Sequence, residues 1–138
     1  KTTISLTGGT YGTIALGGGQ GYSYSKNVEA TIDEAIIGGL YGTGSNGRSD
    51  VVTATLKGCT FKDKAEIASI NRGTVKDITM TFDDKCTFGN NCITYLGAVK
   101  NWENSKDHKS YKAYVSGKAT YTFNANNENV YQFRFGKC

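Results

Sequence analysis

Polar and apolar residues alternate at period two in five short segments. These are Thr3-Ile4-Ser5-Leu6-Thr7, Glu29-Ala30-Thr31-Ile32-Asp33, Thr53-Ala54-Thr55-Leu56-Lys57, Asp77-Ile78-Thr79-Met80-Thr81 and Lys118-Ala119-Thr120-Tyr121-Thr122. Such alternation predicts half-buried strands with one set of side chains inside and the other facing water. The central residues Ser5, Thr31, Thr55 and Thr79 lie 26, 24 and 24 positions apart, and Thr120 follows after a further 41. A near-constant interval is the mark of a repeat architecture, and the long last interval predicts an insertion at about 97–117.

The similarity continues past each strand. Gly9-Thr10-Tyr11, Cys59-Thr60-Phe61 and Cys86-Thr87-Phe88 follow their strands at nearly one offset. A second apolar stretch comes next: Thr13–Leu16, Ala35–Ile37, Glu66–Ile70 and Cys92–Leu96. Units of this size cannot enclose a core alone, but stacked copies can, each strand pairing with its equivalent in the next coil. The expected fold is therefore all-β, a solenoid of about 4–5 rungs in a single domain spanning 1–138. Its repeats are drawn at about 2–26, 27–50, 51–73 and 74–96, with the final strand and a cap at 118–138. Ile4, Leu6, Ala30, Ile32, Ala54, Leu56, Ile78 and Met80 would fill the inside, and Ser5, Thr31, Thr55 and Thr79 would line one outer face. Aromatics alternate from Tyr121 to Phe123 and from Tyr131 to Phe135 around Asn124–Asn127, which reads as a C-terminal hairpin cap. The competing drawings are an antiparallel β-sandwich, or short amphipathic helices at 30–37 and 62–70.

Two runs, TISLTGGTYGTIALGGG from Thr3 and ATIDEAIIGGLYGTG from Ala30, resemble the repeats of right-handed parallel β-helix domains in large secreted or surface-attached bacterial proteins. The resemblance covers roughly 2–96 well and 118–135 less well. It implies a secreted or cell-surface location and a chain that is part of a longer protein, with a glycan or a host or cell-surface protein as partner.

Composition agrees with this picture and removes other classes. Eighteen glycines and no proline suit ladders that run from rung to rung and turn at glycine corners. No apolar run approaches the ~20 residues of a membrane-spanning helix. The formal charge of +4 comes from interspersed signs with only three arginines, so nucleic acid is not an expected partner. Four cysteines, Cys59, Cys86, Cys92 and Cys138, include no C-x-x-C pair, which argues against zinc. An even count fits two disulfides in an oxidising compartment, for instance Cys86–Cys92 with Cys59–Cys138, although buried free thiols satisfy the sequence too.

No catalytic constellation emerges, and no metal or cofactor is expected. The single histidine, His108, lies among charges in the insertion. The carboxylate pairs Asp83/Asp84 and Asp33/Glu34 are adjacent in sequence, so on a strand they point to opposite faces. Parallel β-helix folds also host polysaccharide lyases, which makes a carbohydrate-active enzyme the alternative class, but no column of the repeat stacks acidic residues beyond Glu29 and Asp77. A third reading is an ice-binding face built from paired Thr-x-Thr ranks. On the 24-residue register only Thr53/Thr55 and Thr79/Thr81 are pairs, they are offset, and Glu29, Asp33, Lys57 and Asp77 stand beside them.

The insertion is the preferred binding address. It carries Trp102 and Tyr111 as flat faces for a sugar, with Asn101, Asn104 and Asp107 for hydroxyls, and Tyr114 close by. Plugging the side of the coil is the competing role for Trp102. Tyr22, Tyr24 and Tyr41, near glycine corners, form a second cluster. The expected function is a non-catalytic adhesion or glycan/protein-binding module.

Overall fold

The computed structural model describes residues 1–17, 24–98, 102–103, 110–111, 114–124 and 130–134. The chain runs β1 (Thr2–Thr7), β2 (Thr10–Tyr11), β3 (Ile14–Gly17), β4 (Tyr24–Asp33), β5 (Ile36–Lys57), β6 (Thr60–Phe82), β7 (Thr87–Phe88) and β8 (Cys92–Ala98). It continues through β9 (Trp102–Glu103), β10 (Ser110–Tyr111), β11 (Tyr114–Val115), β12 (Ala119–Phe123) and β13 (Val130–Arg134). Among the described residues every strand pair except β9–β10 is parallel, within one 11-stranded sheet. The fold is a β-solenoid of about three turns, slightly fewer than the expected 4–5 rungs. Residues 30–37 and 62–70, alternatively drawn as helices, lie in strands apart from the bend at Glu34 and Ala35.

β5 and β6 are 22 and 23 residues long because each bends around the coil without breaking its ladder. Three faces result. The first holds β1, the ends of β4, β5 and β6, and β12. The second is short, with β2, the starts of β5 and β6, and β7. The third carries β3, the middles of β5 and β6, β8 and β13. In the second repeat Ala35–Ile37, expected in the second apolar stretch, leads into the short face instead, and Leu40–Thr43 takes the place beside Ile14–Gly17.

The corner after the first face requires a left-handed residue in consecutive coils: Gly8 (φ 72°), Glu34 (φ 57°) and Gly58 (φ 60°). Glycine enters that conformation without a Cβ penalty, and Glu34 does so under strain. The core lies inside the coil, where Val28, Ala30, Ile32, Val52, Ala54, Leu56, Ile78, Met80 and Phe82 are all at most 2% exposed. It coarsens toward the C-terminal coils. Phe82 and Phe123 stack at 4.5 Å, Phe61 and Phe88 at 5.1 Å, and the Tyr121 hydroxyl crosses to Ser69 Oγ at 2.8 Å.

Two expectations are corrected. β12 and β13 do not pair with each other as a hairpin: β12 adds in parallel to β6, and β13 adds in parallel to β8. In β12 the alternating Tyr121 and Phe123 pack against the core of the coil. The expected disulfides are also absent among the described residues, where Cys59, Cys86 and Cys92 are buried free thiols. Cys86 and Cys92 sit at different corners of the coil, separated by β7. Each holds its own carbonyl, Leu56 O for Cys86 and Lys62 O for Cys92, both at 3.3 Å. Cys138 lies outside the described residues.

Candidate functional site

The first face has one regular surface. Reading across the strands, one outward column is Thr3, Glu29, Thr53, Thr79 and Thr120. The next is Ser5, Thr31, Thr55, Thr81 and Thr122. Of these ten positions eight are threonine, one serine and one glutamate. The Thr-x-Thr pairs Thr53/Thr55, Thr79/Thr81 and Thr120/Thr122 stand directly beside one another. The register shifts between β5 and β6 fall at Ile37/Gly39 and Ser45/Arg48, away from this face, which keeps the array even.

This register overturns the offset assumed from the sequence. Thr55 pairs with Thr81, not Thr79, so the third repeat interval is 26 rather than 24 residues. A slip of two preserves which residues face inward, since the strand period is two, but it dismantles any outward ladder. The corner motif held the missing signal. Cys59-Thr60-Phe61 and Cys86-Thr87-Phe88 are 27 apart, which leaves no room for a 24-residue interval unless the turn between grows by three.

Charges flank the array: Asp33 and Lys57 pair in the next outward column, and several of the other carboxylates hold local partners. The Lys1 ammonium meets the Glu29 carboxylate at 2.7 Å. Asp77 Oδ1 accepts the Lys118 N–H at 2.9 Å. Asp83 Oδ1 accepts the N–H groups of Gly58 and Lys85, both at 3.0 Å. The Gly58 hydrogen bond leads in holding the Asp83 carboxyl below its ordinary range. Glu29 and Asp77, expected in one column, belong to different ones: Glu29 pairs with Thr53, and Asp77 with Val51.

The other sequence candidates are dispersed. The backbones of Trp102 and Tyr111 are opposed in the antiparallel β9–β10 pair. Tyr114 belongs to the solenoid ladder, beside Thr74. Asn101, Asn104, Asp107 and His108 lie outside the described residues, as does Tyr22. Tyr24 is exposed, donates to Asp50 Oδ2 at 2.6 Å and carries Arg48 over its ring at 4.7 Å. Tyr41 instead packs with Ala68 and Tyr95 on the third face and donates to Glu66 Oε1 at 2.7 Å. Asp33/Glu34 and Asp83/Asp84 sit at corners. Among the described residues no three His, Cys, Asp or Glu side chains are grouped to hold a metal. Nor is any helix there long and apolar enough to cross a membrane.

No protein-family model, curated protein or solved structure matches this chain.

Proposed function

We propose that the chain is a non-catalytic binding module whose working surface is the threonine array, and that its ligand is the ordered, periodic surface of ice. The observation that supports this is the registered alignment of Thr53/Thr55, Thr79/Thr81 and Thr120/Thr122 on a face without bulges. Parallel strands set the rungs about 4.7–4.9 Å apart, with residues i and i+2 about 6.6 Å apart along each strand. Tetrahedral water with O···O contacts of about 2.75 Å places second neighbours about 4.5 Å apart. The mismatch is about 0.3 Å per rung and accumulates to about 1 Å over the four steps of the array, short of half a repeat. Threonine suits this role, since its hydroxyl joins a water lattice while its methyl holds a fixed position between ranks.

Partition of the protein into slowly growing ice tests the reading. Wild type and Lys76→Ala, an exposed position off the array, are expected in the ice fraction, and Thr55→Lys in the liquid. Equal partition of wild type and Thr55→Lys overturns it.

One observation favours a second reading, glycan or protein adhesion through the insertion. The β9–β10 pairing sets Trp102 opposite Tyr111, the two aromatics chosen from sequence. A glycan array with wild type and Trp102→Ala separates the readings: loss of hits in the variant supports adhesion there, and no wild-type hits removes it. We infer a secreted or surface-attached chain for the adhesion reading, on the resemblance to β-helix repeats alone.

A further inference from the structure

The corner between the first and second faces carries one small side chain per coil. Gly9, Ala35, Cys59 and Cys86 occupy equivalent positions, linked by N–H donation from Ile36 to Gly9 O, from Thr60 to Ala35 O and from Thr87 to Cys59 O, at 2.8–2.9 Å. Thr60 and Thr87, the next residues, are paired in the ladder. Cys59 and Cys86 are therefore stacked neighbours from consecutive coils, at 0% and 3% exposure. Parallel neighbours separated by about 4.8 Å fall within the ~4.4–6.8 Å Cα range that a disulfide spans. Cys59 Sγ contacts Ile32 O at 3.3 Å, and Cys86 Sγ contacts Leu56 O at 3.3 Å.

We propose that Cys59 and Cys86 are a redox couple, a dithiol that closes to a disulfide joining consecutive coils. The oxidant is a small-molecule disulfide of the glutathione class. The Cys59 thiolate attacks one of its sulfurs, an S–S bond breaks, and one thiolate leaves and takes up a proton. Cys86, deprotonated, then attacks the mixed disulfide at Cys59, forms the Cys59–Cys86 bond and expels the second small thiol. Two protein thiols lose two electrons and two protons, and the small disulfide becomes two thiols.

The closeness of the two thiols draws the Cys59 thiol below its ordinary value and, with burial, pushes the Cys86 thiol up. Cys92 stands in another column beside Ala65, and burial pushes its thiol up. The exposed Asp84-Lys85 turn immediately precedes the buried Cys86.

Native protein is incubated with oxidised glutathione, alkylated, digested without reductant and mapped by mass, beside a Cys92→Ser/Cys138→Ser double variant and a denatured wild-type control. The expected result is a Cys59–Cys86 cross-linked peptide, lighter by two hydrogens, in both native proteins and a mixture of pairings in the denatured control. Recovery of both residues alkylated, under conditions that oxidise the denatured chain, overturns the proposal. So does preferential pairing of either residue with Cys92 or Cys138 in the wild type.

Discussion

Glu34 adopts a left-handed backbone where the neighbouring coils place Gly8 and Gly58. A non-glycine residue pays about 1–2 kcal/mol there, whereas glycine adds about 0.5–1 kcal/mol of unfolded-state entropy. Glu34→Gly is therefore expected to stabilise the fold by about 0.5–1 kcal/mol in urea melts. Gly58→Ala is expected to destabilise it, because a methyl there meets both a positive φ and the Glu34 carboxylate. Thr94 is a second residue-scale case: its side chain is fully buried and its hydroxyl has no partner. Thr94→Val keeps the shape and removes the orphan, so the thermal midpoint should rise, equivalent to about 1 kcal/mol. Burial raises the Tyr121 and Tyr41 hydroxyls above their ordinary value of 10.0. A raised phenol favours the protonated, folded form. That stability is complete below pH 10 and declines as pH climbs past 10, where the unfolded chain ionises first. Wild type should lose stability over this range, and Tyr121→Phe should lose less of it.

At the scale of elements, the strands and their inner faces were legible in the sequence, because alternation at period two survives any even slip. Ala54 and Leu56 point inward whether they are aligned with Ile78 and Met80, as the spacing suggested, or with Met80 and Phe82, as the structure has them. The outer ladder was not legible for the same reason: it depends on absolute register, which the two turn lengths decide. In the observed register the turn Asp84-Lys85 before Cys86 is one residue longer than the single Gly58 before Cys59, and spacing alone does not reveal how a longer interval divides between strand and turn. The second face was missed because two-residue strands such as Thr87–Phe88 are too short to show a period. Within the array, Glu29 is the one charged position among hydroxyls. Its ion pair with Lys1 joins two exposed side chains and is worth about 0–1 kcal/mol, so the pair is not what holds the coil together. Glu29→Thr should leave stability nearly unchanged and strengthen retention in growing ice, and a weaker retention would count against the array as the binding surface.

Across the whole molecule, one continuous interior backs one regularly registered outer face. Phe82 contacts Phe61, Phe88 and Phe123, and so joins three coils through a single side chain. Phe82→Ala should cost about 3–5 kcal/mol and broaden the unfolding transition, since a solenoid's stability depends on interfaces between neighbouring coils. The array faces outward, half-buried to exposed, away from those aromatic contacts. Substitutions at Thr55 or Thr81 should therefore separate binding from folding, with unchanged melting beside lost retention in ice.

The register of the outer columns is the claim on which this functional reading rests, and nuclear Overhauser contacts in isotope-labelled protein measure it most directly. Methyl and amide contacts are expected along Thr31–Thr55–Thr81–Thr122 and along Thr53–Thr79–Thr120. Contacts joining Thr55 to Thr79, with none to Thr81, would show the ranks offset and would contradict the array.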